Sequence, residues 1–256
     1  MSNIIKHKII TKKKFFDINK KISKNLFKKK DFLSLYKKFL EKTLKKRIAH
    51  QTTWFGEPIL QLPQDLFIQQ ELIYKTKPDF FIELGVAWSG SLLYYSSIFN
   101  SIGGKKVIGV DTFIPKKIIK NISIFKILKK KIELIKGAST DEKVLKRIKS
   151  IVGKSKRVIV HLDSDHSHKN VLRELNLYSK FIRKGSYLIC GDTHVDFFKN
   201  NPHGVNKNYS KNDNPMTALN FFLRTREGKK FKQDLSFQNR YFLTLNPYGF
   251  LKKIKD

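Results

Sequence analysis

Five short apolar runs alternate with helical segments between residues 79 and 192, and this alternation limits the fold more than any other feature of the chain. The runs cover residues 79–83, 105–111, 131–137, 157–163 and 186–192. The segments between them, such as residues 168–182, place apolar side chains at helical spacing. Buried strands that alternate with helices form parallel sheets with right-handed crossovers. We therefore predict an α/β fold built on a parallel sheet.

The C-terminal part of the chain adds two apolar stretches, residues 231–237 and 241–253. They are too close in sequence for a crossover helix, so we predict that they pair as antiparallel strands. A helix is predicted from Pro215, which suits the first helical position, to Arg224. Residues 193–213 are rich in Asn, Lys and His and are predicted to form a polar loop. Residues 115–130 are predicted to form one helix, and residues 53–65 a docked loop or a lid.

The first fifty residues differ from the rest in their density of Lys. Residues 32–44 have helical spacing, with Leu33, Tyr36, Phe39 or Leu40, and Leu44 on one face. We predict a basic helical N-terminal extension over residues 1–50 and a main domain over residues 51–256. A basic amphipathic helix can lie on a membrane surface, or it can pack on its own domain or on a second subunit. Both interpretations stay open, and we expect a homo-oligomer.

The formal net charge of +32 has two explanations. One is an anionic partner such as nucleic acid, a membrane surface or an acidic glycan. The other is codon bias, because Lys far outnumbers Arg and Asn is also frequent. Arg is the preferred residue for bidentate phosphate recognition, and no basic motif interleaved with aromatic residues is present. We therefore expect no specific nucleic-acid partner.

The single cysteine, Cys190, excludes an internal disulfide and agrees with a reducing compartment. The N-terminal residues lack the uninterrupted apolar stretch of a secretory signal. No segment approaches the roughly 20 apolar residues of a membrane span. We expect a soluble cytoplasmic protein, with peripheral contact at the inner membrane surface as the alternative.

Carboxylates stand at the ends of four of the predicted strands: Glu83, Asp111, Asp163 and Asp192. The carboxyl ends of parallel strands line the binding crevice of an open α/β sheet. A turn that holds Gly85 follows the first strand and lacks the G-x-G-x-x-G pattern of dinucleotide sites. Because Asp111 can accept both hydroxyl groups of a ribose, these features predict a nucleoside ligand without a diphosphate.

Several motifs carry a resemblance to a known family, over roughly residues 50–253. They are Trp54-Phe-Gly-Glu-Pro58, Pro63-Gln-Asp65, Lys77-Pro-Asp79, Glu83-Leu-Gly-Val-Ala-Trp-Ser-Gly-Ser91, Val107-Ile-Gly-Val-Asp111, Leu162-Asp-Ser-Asp-His-Ser167, Gly185-Ser-Tyr-Leu188, Asn214-Pro215 and Asn246-Pro-Tyr-Gly-Phe-Leu251. With these motifs the chain resembles the cephalosporin hydroxylase family, which includes rhamnosyl O-methyltransferases and belongs to the class I S-adenosylmethionine-dependent methyltransferases. The resemblance implies a Rossmann-like, seven-stranded, mostly parallel sheet with helices on both faces and an antiparallel C-terminal strand.

The same resemblance implies S-adenosylmethionine as cofactor and assigns residues to it. Glu83, Gly85 and Ser91 would hold the methionine part, and Asp111 the ribose. Ser139 is the candidate for the adenine contact, since Ala138 stands where the family usually has an acidic residue.

Related O-methyltransferases bind magnesium through residues that follow the fourth and fifth strands. The corresponding ligands here would be Asp163, Asp165 and Asp192, and Mg²⁺ is bound by oxygen ligands and retains waters. Gly191 stands where the family often has Glu, which removes one ligand. We nevertheless expect a magnesium site.

The predicted reaction is methyl transfer to a sugar hydroxyl of a polysaccharide or glycolipid. Asp163 and His166 are the predicted catalytic residues. His166 is the predicted base, because the ordinary pKa of histidine, ~6.5, suits proton transfer at neutral pH. The alternative role for His166 is that of a capping or supporting residue. Two other functions remain open: an iron-dependent hydroxylase, as the family name suggests, and a basic binding protein that has lost catalysis.

Overall fold

The computed structural model describes residues 11–155, 157–199 and 212–256. Nine strands are present in this part of the chain: β1 (Thr52–Trp54), β2 (Glu57–Ile59), β3 (Phe80–Leu84), β4 (Lys106–Asp111), β5 (Ile132–Lys136), β6 (Val158–Leu162), β7 (Tyr187–Cys190), β8 (Phe231–Gln233) and β9 (Phe250–Lys253). The described α-helices are α1 (Lys12–Ser23), α2 (Lys30–Leu44), α3 (Pro63–Thr76), α4 (Gly90–Ile102), α5 (Lys116–Ile124), α6 (Lys126–Lys129), α7 (Glu142–Val152), α8 (His168–Tyr178), α9 (Pro215–Arg224) and α10 (Ser236–Tyr241).

Strands β3 to β9 form one sheet in the order β5-β4-β3-β6-β7-β9-β8. The pairs among β3 to β7 are parallel, and β9 is antiparallel to both β7 and β8. In the register, Glu83 on β3 lies opposite Gly109 on β4 and His161 on β6. This arrangement confirms the predicted seven-stranded, mostly parallel sheet with an antiparallel C-terminal strand.

Helices cover both faces of the sheet, because side chains along each strand point alternately to opposite faces. Phe80, Ile82 and Leu84 of β3 join the apolar cluster that includes residues of α7, α8 and α9. Phe81 joins the other cluster, with residues of α3, α4, α5 and α10. Glu83 therefore points to the same face as Phe81, at the end of the strand where the site lies.

The N-terminal extension packs on the main domain through a third apolar cluster. Phe27, Tyr36, Leu40 and Leu44 are buried there together with Leu245, among others. The Tyr36 hydroxyl also donates a hydrogen bond to the carbonyl oxygen of Thr244, at 2.7 Å. The helical character predicted for the extension agrees with α1 and α2, while residues 1–10 lie outside the described residues.

The predicted extent of the two C-terminal strands is wrong, although their antiparallel pairing is right. Only Phe231–Gln233 and Phe250–Lys253 are strands, and helix α10 lies between them. Asp234 causes the change of structure: its Oδ1 accepts the backbone N–H of Ser236, which starts a turn and then the helix. Phe237 is buried on this helix, so its apolar character does not mark a strand.

Three further predictions differ from the structure in detail. The helix predicted over residues 115–130 is divided into α5 and α6 at Phe125, whose ψ of 70° is not helical. The loop predicted over residues 53–65 contains the antiparallel β1–β2 hairpin and the start of α3. In the predicted loop 193–213, Thr193–Phe197 forms a short 3₁₀ helix, and residues 200–211 lie outside the described residues.

Candidate active site

A cleft of about 590 Å³ opens at the carboxyl ends of the parallel strands. Every residue that the sequence singled out for the site lines it: Glu83, Gly85, Ser91, Asp111, Ser139, Asp163, Asp165, His166 and Asp192. Ala49 and His50, at the end of the N-terminal extension, also line the cleft. The parallel order of β3 to β7 brings these residues together, since their C-terminal ends share one edge of the sheet.

The turn after β3 has an unusual backbone that only a few residues tolerate. Gly85 has φ +92°, and a Cβ there would lie 2.0 Å from the carbonyl oxygen of Asp163. Ala87 and Ser89 also have positive φ values, of 43° and 66°. Non-glycine residues with positive φ are uncommon and cluster at functional sites. The turn is thus held tightly against the end of β6.

Glu83 and Ser91 form a buried polar pair at the base of the cleft. The Ser91 hydroxyl, on the first turn of α4, donates to Oε2 of Glu83 at 2.6 Å. Both side chains are almost inaccessible to solvent, although they line the cleft. A buried carboxylate of this kind can accept hydrogen bonds from a cationic group that enters the cleft.

Asp111 lies at the tip of β4, as the sequence predicts, and it also holds the turn. Its Oδ2 accepts the backbone N–H groups of Val86 at 2.8 Å and Ala87 at 3.4 Å, and its Oδ1 accepts that of Phe113 at 2.9 Å. A carboxylate has about four lone-pair sites, so these three bonds leave capacity for a ligand hydroxyl.

Ser139 is tied to a residue that the sequence reasoning missed. Its hydroxyl donates to Oε1 of Glu174 on α8, and the Ser164 hydroxyl donates to the same oxygen at 2.6 Å. Burial raises the pKa of Glu174 to about 7. In the sequence, Glu174 lies between Val171 and Leu175, two residues of the apolar face of helix 168–182. An acidic residue beside this face is the one sign of its role. Through these two hydrogen bonds, Glu174 connects the loop after β5, which contains Ser139, to the loop after β6, which contains Ser164.

Asp163, His166 and Asp192 converge at the ends of β6 and β7. One ligand atom from each lies within 4.8 Å of the others, and His166 Nε2 is 3.3 Å from Asp192 Oδ2. Asp165 lines the cleft but belongs to neither group of potential metal ligands found among the described residues. Its Oδ1 accepts the backbone N–H of Ser167, next to the start of α8.

A second group of potential ligands consists of Glu83, His161 and Asp163. His161 is 1% exposed, and neither of its ring nitrogens has a hydrogen-bond partner among the described residues. Its Nδ1 lies 3.7 Å from Oε1 of Glu83, which is an ion-pair distance rather than a hydrogen bond. Burial lowers the pKa of His161, but nearby carboxylates outweigh burial, so this pKa is higher than usual.

Gly191 leaves little room for a larger residue at the end of β7. A Cβ there would lie 2.6 Å from the carbonyl oxygen of Leu162 and 3.3 Å from Oδ1 of Asp163. A side chain at this position would have to displace the backbone of β6. The absence of an acidic residue at position 191 therefore agrees with the close approach of the two strands.

A chain of buried side-chain amides supports Asp163, and no pattern in the sequence indicates it. The Gln61 amide donates to Oδ2 of Asp163 at 3.3 Å, and the Gln69 amide donates to Oε1 of Gln61 at 2.9 Å. The Tyr95 hydroxyl donates to Oε1 of Gln69 at 2.6 Å. These contacts set the orientation of the Asp163 carboxylate.

A sequence profile of the family described as Rhamnosyl O-methyltransferase/CmcI matches residues 46–254. The chain belongs to this family. Membership confirms the family resemblance and the predicted enzyme class, an S-adenosylmethionine-dependent O-methyltransferase. Within the Rhamnosyl O-methyltransferase/CmcI family, the rhamnosyl O-methyltransferase of Mycobacterium leprae is 27% identical over 206 residues, which cover 80% of this chain and 84% of that protein.

Two solved structures of CmcI have the same fold as this chain. An apo structure has a TM-score of 0.56 at 18% identity and covers 81% of this chain and 78% of its own. A structure with Mg and SAM has a TM-score of 0.53 at 18% identity and covers 80% of this chain and 77% of its own. These likenesses confirm the predicted class I methyltransferase fold.

The residues of this family member fit the ligands that the family implies. A sulfonium nucleoside needs a buried acceptor for its ammonium group and a second acceptor for its ribose, and Glu83 and Asp111 supply them in one cleft. A divalent cation needs converging donors, and the group of Asp163, His166 and Asp192 contains two carboxylates and one imidazole. The structure thus contains side chains suited to both.

Proposed function

We propose that this enzyme transfers the methyl group of S-adenosylmethionine to a sugar hydroxyl of a glycan or glycolipid, with the assistance of Mg²⁺. The observation that carries the proposal is a shared cleft: the pair Glu83–Ser91 and the group Asp163, His166 and Asp192 open into the same space. A site for a methyl donor and a site for activating an acceptor are therefore adjacent.

The cofactor would occupy the side of the cleft formed by β3, β4 and β5. Glu83, held by Ser91, would accept hydrogen bonds from the methionine ammonium group. Asp111 would accept the ribose hydroxyl groups with the capacity that its three backbone hydrogen bonds leave. Ser139 would border the adenine; because its hydroxyl proton is donated to Glu174, it would offer the base an acceptor.

A metal would be held between the ends of β6 and β7. Asp163 and Asp192 would provide the oxygen ligands that Mg²⁺ prefers. A bound divalent cation lowers the pKa of an acceptor hydroxyl. The role of Asp165 as a further ligand is the least supported of the three, since this carboxylate is engaged at the start of α8.

His166 removes the proton of the acceptor hydroxyl. Its Nε2 faces Oδ2 of Asp192 at 3.3 Å, and a histidine held by a carboxylate is oriented for proton transfer. As the oxygen–carbon bond forms, the sulfur–carbon bond breaks and its electron pair remains on sulfur, which gives S-adenosylhomocysteine. The hydroxyl proton goes to His166, so atoms and charges balance.

The sugar acceptor is supported by the name of the relative from Mycobacterium leprae, a rhamnosyl O-methyltransferase. The hydroxylase alternative lacks comparable support. Non-haem iron oxygenases use two histidines and one carboxylate, whereas each ligand group in the described part of the chain has one histidine and two carboxylates.

Two measurements test the proposal. Isothermal titration of the full chain with S-adenosylmethionine, with and without Mg²⁺, should show binding, and its absence under both conditions would contradict the methyltransferase proposal. Transfer of labelled methyl groups is then compared between a rhamnose-containing glycan and catechol. Methylation of catechol alone would exclude the sugar acceptor while leaving methyl transfer intact.

A further inference from the structure

Helix α1 carries an apolar stripe that the rest of the described chain covers only in part. Phe15, Ile18 and Ile22 are 51%, 40% and 73% exposed, and none of the twelve residues of α1 is buried. Their spacing of three and four residues places these side chains on one face of the helix. A contiguous apolar stripe on the surface usually marks an interaction site.

Lysines surround this stripe on α1. The helix contains five lysines and one acidic residue, and Lys24 follows at its end. This combination of a basic polar face with Phe and Ile on the other face is typical of helices that lie in a membrane interface. The lysine side chains can reach the phosphate groups of lipids while their stems lie along the apolar surface.

Helix α2 fixes the extension to the main domain and adds a second exposed pair. Tyr36, Leu40 and Leu44 are buried against the domain, whereas Leu35 and Phe39, four residues apart, are 57% and 36% exposed. The extension is therefore anchored on its inner face and apolar on part of its outer surface.

The charge of the chain is concentrated in this extension. Residues 1–50 hold 17 of the 53 basic residues and three of the 21 acidic ones, so they carry +14 of the net charge of +32. The remaining 206 residues together carry +18.

The combination of charge and exposed apolar side chains selects among partners. A second copy of the chain would bring one strongly basic face against another, and the like charges would repel each other. A nucleic acid would satisfy the lysines but not the apolar stripe. An anionic lipid surface offers phosphate groups to the lysines and an acyl boundary to Phe15 and Ile22.

We propose that α1 docks the protein on an anionic membrane surface, with Phe15, Ile18 and Ile22 inserted at the boundary between headgroups and acyl chains. Among the described residues no helix is both long and apolar enough to cross a bilayer, so the contact is peripheral. The docking requires neither cofactor nor acceptor, and it can therefore be tested separately from methyl transfer.

The experiment compares co-flotation of the full-length protein with two kinds of vesicle: phosphatidylcholine alone, and phosphatidylcholine with about one third phosphatidylglycerol. We expect binding to the anionic vesicles only, with an affinity that falls at least tenfold between about 0.05 and 0.5 M salt. Binding to both kinds, or to neither, would overturn the proposal.

Matched variants then separate insertion from simple charge attraction. Ile22→Ser should weaken binding to anionic vesicles at least fivefold, whereas Ile127→Ser, at a 65% exposed position on α6, should leave it unchanged. Both substitutions are on the surface, and equal circular dichroism and thermal unfolding confirm folding. Equal binding by the two variants would mean that charge alone acts, and the insertion would be refuted.

Sedimentation velocity tests whether a second copy of the chain, instead of a membrane, binds the stripe. A dimer that Ile22→Ser dissociates would show that the stripe joins two copies of the chain, and this result would also overturn the membrane proposal.

Discussion

The carbonyl oxygen of Asp163 fills the space beside Gly85 that any side chain would need. The distance of 2.0 Å between this oxygen and a Cβ built on Gly85 is far shorter than a contact. The turn that we propose as part of the cofactor site and the strand that ends at the proposed metal ligands thus touch through backbone atoms. Gly85 serves to let these two parts of the site approach each other.

Gly85→Ala should therefore damage both folding and cofactor binding. Displacing the backbone at Asp163 should cost about 1–3 kcal/mol of unfolding free energy, in the range of overpacked cores. The affinity for S-adenosylhomocysteine should fall at least tenfold. Urea unfolding and isothermal titration measure the two effects. Gly103→Ala is the matched control, because Gly103 has φ +87° but no atom within 4 Å of its added Cβ. Equal losses of stability and affinity in the two variants would show that the positive φ value causes the effect, and that the contact with Asp163 does not.

Glu83→Gln should weaken cofactor binding more than folding. The substitution keeps the shape and an acceptor for Ser91. It removes the negative charge that, under the proposed function, would face the ammonium group of the cofactor. Hydrogen bonds to charged groups contribute about 1.5–3 kcal/mol, so we expect about ten- to hundredfold weaker binding of S-adenosylmethionine. Asp141→Asn is the control, since Asp141 caps α7 without lining the cleft and Asn also caps helices well. An unchanged affinity in Glu83→Gln would remove Glu83 from the cofactor site.

Asp163→Asn and Asp165→Asn should differ in metal affinity, although the residues are two positions apart. Asp163 belongs to both groups of potential ligands, whereas Asp165 accepts the Ser167 N–H. We expect Asp163→Asn to weaken Mg²⁺ binding at least tenfold, measured by titration in the presence of S-adenosylhomocysteine. Asp165→Asn should weaken it less than threefold. A larger loss of Mg²⁺ affinity in Asp165→Asn than in Asp163→Asn would contradict this prediction, because it would make Asp165 and not Asp163 the metal ligand.

Glu174 should make the protein less stable as the pH rises. Burial raises the pKa of Glu174 from its ordinary 4.5 to about 7, so the folded state binds a proton more tightly than the unfolded state. The stabilisation is complete below pH 4.5 and is lost as the pH rises to about 7, by at most about 3 kcal/mol.

Glu174→Gln should reduce this pH dependence, which urea unfolding between pH 5 and pH 8 would measure. The variant retains the pH dependence that comes from Asp65, whose pKa burial also raises, from its ordinary 3.8 to about 7. The difference between the variant and the natural protein therefore isolates Glu174. If the unfolding free energy of the variant and of the natural protein changed equally with pH, the pKa of Glu174 would not be raised in the folded state.

The sequence allows the parallel strands and their terminal carboxylates to be predicted because both depend on local patterns. An apolar run that ends in Asp or Glu identifies strand and site residue together, as at Asp111 and Asp163. The C-terminal strands were predicted too long because a short amphipathic helix such as α10 and a short apolar strand look alike in sequence.

Glu174 and Gln61 could not be assigned to the site from the sequence, since neither follows one of the five predicted parallel strands. Glu174 acts through Ser139 and Ser164, and Gln61 through Asp163, so their importance depends on contacts between segments far apart in sequence. Periodicity places a residue on a face of a helix but does not identify the side chain that it meets.

The loop Thr244–Asn246 is fastened from two sides, and this has a consequence for the N-terminal extension. Tyr36 of α2 donates to the carbonyl oxygen of Thr244, while the carboxylate of Asp65 accepts hydrogen bonds from Thr244 and from the backbone N–H of Leu245. In the same loop, Asn246 accepts the backbone N–H of Asp192. Removing helix α2 would expose this loop and loosen its hold on Asp192, so a chain shortened to the family-matched residues 46–254 would lose part of the frame of its own candidate active site.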